Sequence, residues 1–188
     1  MTCIVAVLKG KTVFLGGDRA ATDGHLNRTI LKEPKVFIKG ELGFGVCGSP
    51  KVMDALKHSI EMPTQSSGDD RAFLVSELVP AIREGLVKLD AAGVDSSPFG
   101  GGSGVTYEGE IIVAYRGKLY RMQSNFQLIE GGEGYASVGS GSQLALGSLA
   151  ATKKWSNAKK RVLAALEAST GNAGCAPPFD VLEVKSKK

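Results

Sequence analysis

The chain has 188 residues, 43% of them hydrophobic and 22% charged, with a formal net charge of +4. That length supports one domain, 1–188, with a core that needs no disulfide or metal staple, and the apolar content excludes disorder for the bulk of it. The charge is too mild to argue for nucleic acid, and no apolar run approaches the ~20 residues that span a bilayer, so neither nucleic acid nor membrane is an expected partner.

The N-terminal segment Met1-Thr2-Cys3-Ile4-Val5 carries no basic residue ahead of its apolar stretch, so no secretory signal is expected. The 3 cysteines, Cys3, Cys47 and Cys175, lack C-x-x-C spacing, which makes a reducing cytoplasm the expected location. Thr2 to Leu8 and Thr12 to Leu15 read as strands around a Gly10-Lys11 turn. Lys35 to Ile38 and Leu42 to Cys47 are two more. A helix is expected from Ser49 or Pro50, since Val52, Met53, Leu56 and Ile60 recur at helical spacing. A second spans about Asp69 to Leu89, with Pro80 inside it to kink or divide it.

Gly93 to Gly104 reads as a loop. Strands return at Gly104 to Tyr107, Glu110 to Tyr115, Lys118 to Met122 and Tyr135 to Val138. Helices are expected at Gln143 to about Thr152 and at Ala158 to Ser169. A last strand, Phe179 to Val184, precedes a basic tail from about Lys185 that should fray. Clustered strands alternating with clustered helices predict an α+β fold built on an antiparallel sandwich.

Several motifs reduce to structure. Gly10-Lys11-Thr12 lacks the earlier glycine of a phosphate-binding loop, and a strand follows it. Gly43-Phe44-Gly45-Val46-Cys47-Gly48 matches G-x-G-x-x-G but looks like strand, where a dinucleotide site needs a helix opening. His25 follows a turn and His58 sits on a helix; neither adjoins a nucleophile motif, so both read as surface residues and no metal or cofactor is expected. Lys153-Lys154-Trp155 with Lys159-Lys160-Arg161 reads as a solvated helix face.

Thr2 directly follows Met1, and its small side chain permits Met1 removal, which is the expected processing. A threonine at a free N-terminus holds nucleophile and base in one residue. Its Oγ attacks while the α-amine, with an ordinary pKa of roughly 7.7–8.0, takes the proton.

The segments Thr2-Cys3-Ile4-Val5-Ala6-Val7 and Gly16-Gly17-Asp18-Arg19-Ala20-Ala21-Thr22-Asp23-Gly24 resemble the opening of proteasome β-subunits and of the HslV-type peptidases. Asp18 sits sixteen positions after the threonine, as in that family. Pro34-Lys35-Val36 resembles its lysine segment with one extra residue ahead of it. Gly43 to Gly48 resembles its glycine-bearing strand end, and Val138-Gly139-Ser140-Gly141-Ser142 its serine turn. The resemblance covers nearly the whole chain and is greatest to a bacterial proteasome homologue. It implies the four-layer αββα sandwich of N-terminal-nucleophile hydrolases, two antiparallel sheets flanked by helices.

The resemblance also implies roles. Thr2 is the nucleophile, Lys35 the cation beside its Oγ, and Asp18 the partner that keeps Lys35 charged. Gly48 offers its N–H to an oxyanion, and Ser140 orients the amine. Asn172 falls where the family has an acidic residue; an amide can hydrogen-bond but carries no charge. Ala21, Val46 and Pro50 are implied walls of an apolar substrate pocket. Among the nearby lysines, Lys32 and Lys39 look solvent-facing. Strand alternation puts Lys35 and Phe37 on one face and Val36 and Ile38 on the other, with the Lys35 ammonium in the sandwich mouth near Asp18.

The implied activity is a threonine-type endopeptidase acting on peptides or unfolded proteins through an acyl ester on Thr2. The implied setting is a homo-oligomeric ring stack with an ATPase unfoldase as its class of partner. A small-molecule amidase on the same fold and a catalytically silent ring component are the alternatives.

Overall fold

The computed structural model describes residues 1–22, 27–65, 68–94, 104–171 and 174–186. His25, Asn172, most of the Gly93–Gly104 loop and the last two lysines lie outside the described residues. One sheet is formed by β1 (Ile4–Lys9), β2 (Thr12–Asp18), β12 (Tyr135–Val138) and β13 (Phe179–Lys185), in the order β12-β1-β2-β13. The other contains β5 (Val36–Lys39), β6 (Leu42–Gly48), β9 (Gly109–Tyr115), β10 (Lys118–Met122) and β11 (Leu128–Glu130), in the order β11-β10-β9-β6-β5. Every pairing is antiparallel.

Alternation along the strands generates the layers. In β1, Ile4 and Ala6 face the other sheet, while Val5 and Val7 face the helices α4 (Ser142–Ala151) and α5 (Ala158–Ser169). In β6, Leu42, Phe44 and Val46 pack beneath the opposite helical layer. That layer consists of α1 (Pro50–Asp54), α2 (Asp70–Phe73) and α3 (Val79–Lys88). The molecule is therefore the expected four-layer sandwich, helices outside and two sheets within.

Glycine sets the closeness of the two sheets. A Cβ on Gly45 would overlap Ile4 and stand 3.1 Å from Leu15 Cδ1, and one on Gly17 would come within 2.9 Å of Ile4 Cδ1. The G-x-G pattern of β6 thus serves sheet packing, with no helix opening inside it.

Pro80 divides the second helix, but the break lies ahead of the proline. Residues Leu74–Leu78 form a π-helical turn in which the Val79 N–H reaches back to Leu74 O. Proline lacks an N–H and crowds the carbonyl four residues back, so the chain widens by one residue before it. Helix α1 also continues as a π turn, Ala55–Ser59. Its end is capped by Lys39, whose Nζ donates to Leu56 O (2.9 Å), Lys57 O (3.2 Å) and Ile60 O (2.6 Å). Lys39 is therefore half-buried rather than solvent-facing, because the unpaired carbonyls at a helix end attract a cation. Arg161 departs from the expected solvated face in the same way: it is 8% exposed, donates to Leu149 O near the end of α4, and stacks over the Tyr135 ring.

Four short strands carry no readable alternation and were not expected: β3 (Ala20–Thr22), β4 (Arg28–Ile30), β7 (Ala92–Val94) and β11. The first two form a hairpin beside the end of β2, and β7 pairs with β8 (Val105–Tyr107). Among the described residues, no helix is long and apolar enough to cross a membrane.

The close approach of the sheets makes a direct prediction. Gly45→Ala should destabilise the protein by about 1–3 kcal/mol through overpacking, lowering its melting temperature by several degrees. A thermal melt unchanged from the parent would show that the sheets can part at this point.

Candidate active site

Thr2 stands just ahead of β1 and is 9% exposed. Its N–H donates to Ser140 Oγ at 3.0 Å, and its carbonyl accepts from the Gly141 N–H at 3.2 Å and from Ser140 Oγ at 3.3 Å. Ser140 belongs to the turn between β12 and α4. That turn closes on Thr2 because Gly139 takes φ +95 and has no Cβ to press on the Thr2 carbonyl.

Asp18 ends β2 and is fully buried. Its Oδ1 accepts from the Cys3 N–H at 2.9 Å, and its Oδ2 from the Ala20 N–H at 3.0 Å and the Ala176 N–H at 3.4 Å. Three backbone donors from three separate segments therefore hold one carboxylate. Lys35, 4% exposed, completes the arrangement. Its Nζ lies 2.9 Å from Asp18 Oδ1 and 2.9 Å from Thr2 Oγ1, and it also donates to Ala20 O. An ammonium has three protons, and these three acceptors match them. Met1 O is a further, more distant neighbour at 3.4 Å.

Lys35 does reach Asp18, though not by strand alternation. It precedes β5, and its Cβ lies over Gly17 alongside the Val36 side chain, whereas Phe37 packs toward the helices. Lys32 is exposed, as expected.

Gly48 ends β6, is exposed, and adopts φ +99; a Cβ there would lie 2.6 Å from Gly109 Cα. It lines a pocket of about 80 Å³ together with Thr2 and Lys35. Ala21, Val46 and Pro50 line this pocket too, joined by Thr22, Leu31 and Met53, which the sequence did not single out. A larger hollow of about 570 Å³ beside Val79, Val87 and Phe126 is lined, among the described residues, by no hydroxyl or thiol.

The cysteines also gather near Thr2. Cys47 Cβ would be 3.3 Å from a Cβ on Gly139, and Cys3 and Cys175 both abut Gly141. Burial pushes the Cys47 thiol up to about 11, and hydrogen bonding to Cys175 together with burial pushes Cys3 up as well. Both stay protonated near neutral pH, whereas hydrogen bonding to Cys3 pulls the Cys175 thiol down to about 7. Among the described residues, no group of three or more His, Cys, Asp or Glu side chains could hold a metal ion.

No protein-family model matches the chain, and no curated protein matches it in sequence. Solved structures do match its fold. Thiobacillus denitrificans BPH in complex with epoxomicin is similar with a TM-score of 0.76 over 99% of this chain and 100% of that one, at 15% identity. Eukaryotic HslV from Trypanosoma brucei has a TM-score of 0.65 over 97% and 99% of the two chains, at 19% identity. An Anbu (Gly-1) mutant from Hyphomicrobium sp. strain MC1 has a TM-score of 0.64 over 100% of this chain and 84% of that one, at 11% identity. The fold is that of the proteasome-type N-terminal-nucleophile hydrolases.

The hydrogen bonding predicts an asymmetry between the two members of the buried pair. Asp18→Asn should be the more damaging change, on the order of 3–5 kcal/mol, because it removes the charge opposite Lys35 and turns an amide N–H₂ toward backbone donors. Lys35→Met should cost less, since three N–H groups still hold the carboxylate. Denaturant unfolding of both variants checks the order; equal losses would contradict it.

Proposed function

We propose that the chain is a threonine-type peptidase that works through an acyl ester on Thr2. The observation that carries this reading is the convergence on one hydroxyl: the Lys35 ammonium at 2.9 Å from Thr2 Oγ1, with Asp18 behind it and Ser140 on the Thr2 nitrogen. Removal of Met1 converts that nitrogen from an amide, which has no basic lone pair, into an amine.

The Thr2 amine takes the Oγ proton as Oγ attacks the scissile carbonyl carbon. Lys35 lowers the cost of negative charge on Oγ, and the Gly48 N–H receives the oxyanion of the tetrahedral intermediate. Collapse breaks the C–N bond, and the ammonium of Thr2 returns a proton to the departing amine. Water then attacks the ester, giving its proton to the same amine, and the acid leaves as Oγ is reprotonated. Asn172 is proposed to orient this centre without adding charge. The apolar walls Ala21, Val46 and Pro50 suit an apolar side chain of a peptide or unfolded protein.

The chain is further proposed to assemble as a homo-oligomeric ring stack in the cytoplasm, with an ATPase unfoldase as the class of partner that feeds it. The likeness of fold to HslV and Anbu supports this, and so does α4. That helix carries no charged residue, yet Leu144 stays 43% exposed, which suits contact with another copy.

Mass, peptide cleavage and sedimentation test these readings. Intact mass of the active material should show loss of one methionine residue. That material should cleave fluorogenic peptides, Thr2→Ala should abolish cleavage, and Lys35→Ala should lower the rate on the order of 10²–10³-fold. The rate should rise with pH as the amine loses its proton. Cleavage by protein that retains Met1, or by Thr2→Ala, would exclude Thr2 as nucleophile. Sedimentation velocity at micromolar concentration should show a large oligomer; a monomer would exclude the ring.

A further inference from the structure

Lys35 is delivered to Thr2 by the turn Lys32-Glu33-Pro34, and two cations outside the catalytic group grip that turn. Arg19 is the first. Its Nε and Nη2 form a fork on the Asp180 carboxylate, each at 2.7 Å, while Nη1 donates to Lys32 O at 2.6 Å. Lys57, from the π turn after α1, is the second. Its Nζ donates to Pro34 O at 2.6 Å and to Glu33 Oε2 at 3.0 Å, and lies 5.4 Å from the centre of the Phe37 ring. The Lys57 side chain is only 8% exposed.

The carbonyls on either side of Glu33 are thus each held by a charge-assisted bond, which is stronger and more directional than a neutral one. Arg19 also follows Asp18 directly in the chain, and its own carbonyl accepts the Leu31 N–H at 2.8 Å. One residue therefore fixes both members of the buried pair, Asp18 through the backbone and Lys35 through Lys32. Asp180 anchors this residue to β13, where it stands opposite Gly17 of β2.

We propose that Arg19 and Lys57 are positioning residues for the Lys35 ammonium, clamping the 32–34 turn so that Nζ stays within reach of Thr2 Oγ1. This rests on the reading of Lys35 as the cation that assists Thr2. A lysine side chain has four rotatable bonds, and its own three acceptors constrain the ammonium but not the turn that carries its Cα.

The test compares Arg19→Ala, Lys57→Ala and Asp180→Asn with the rescues Lys57→Arg and Arg19→Lys. Arg116→Ala serves as control, because its ion pairs with Glu41 and Asp70 involve none of these residues. Fluorogenic peptide hydrolysis on Met1-free protein is read as kcat and KM, alongside melting temperature and a crystal structure of each variant. Arg19→Ala and Lys57→Ala should lower kcat on the order of 10- to 100-fold with little change in KM, as expected for a displaced catalytic group. Lys57→Arg should recover most of the loss. Arg19→Lys should recover little, since an ammonium cannot fork on Asp180 and still reach Lys32 O. Arg116→Ala should lower the melting temperature and leave kcat unchanged.

Crystal structures should show Lys35 Nζ displaced from Thr2 Oγ1 by ~1 Å or more in the alanine variants. Unchanged kcat with Lys35 in place would overturn the proposal, as would an equal loss in Arg116→Ala. If Arg19→Ala fails to fold, Asp180→Asn reads the same clamp. If the parent protein cleaves no peptide, the peptidase reading fails on its own. The clamp is then judged by the crystal structures, where an unmoved Lys35 refutes it and a displaced one upholds it.

Discussion

The buried ion pair of Asp18 and Lys35 is the constraint on which the rest of this molecule depends. Two charges taken out of water cost several kcal/mol each unless every lone pair and proton is met. Here they are met by groups from distant parts of the chain: the amides of Cys3, Ala20 and Ala176, the carbonyl of Ala20 and the hydroxyl of Thr2. The start of β1, the end of β2, the β3 strand and the segment leading into β13 must all be in place at once. A pair so placed does not add much net stability, but it punishes any other arrangement of those segments.

The layered architecture is what allows four segments to meet at one carboxylate. Glycines at positions 17 and 45 bring the sheets together over Ile4, so the ends of β2 and β5 can share a site that opens onto Gly48. The helical layers stand outside this region and are tied back to it by long cationic side chains. Lys39 closes the π turn after α1, Arg161 closes α4, and Lys57 reaches from the helical layer to the turn before Lys35. The same chemistry, an ammonium or guanidinium on backbone carbonyls, is used in each case, once per layer and once at the site.

The position of Met1 bears on how such a site is brought into use. With Met1 attached, the Thr2 nitrogen is an amide donating to Ser140, and the Met1 carbonyl lies beside the Lys35 ammonium. The frame of Asp18, Lys35 and Ser140 is therefore assembled around a nitrogen that cannot act as a base. Loss of one residue changes the chemistry of that atom and removes the 3.4 Å contact of the Met1 carbonyl with Lys35 Nζ, while the 2.9 Å contacts of that ammonium with Asp18 and Thr2 involve no Met1 atom.

Much of this was legible in the chain itself. Alternation of apolar residues marked the long strands, helical spacing marked the helices, and the chemical types at Thr2, Asp18, Lys35 and Ser140 suggested one kind of centre through their resemblance to known peptidases. The short strands β3, β4, β7 and β11 were not legible, because three residues are too few to show a period. Strand alternation also gave the wrong reason for the inward turn of Lys35. Its direction comes from the turn before β5, whose geometry is set by Arg19 and Lys57. Nor could Lys39 or Arg161 be placed, since their partners are backbone carbonyls at helix ends, and a carbonyl is the same in every residue. Local sequence determined which side chains could do chemistry and which faces would be apolar. Only the tertiary structure decided which amides and carbonyls would receive the charges, because those groups have no sequence signature and are recognised solely by where the fold puts them.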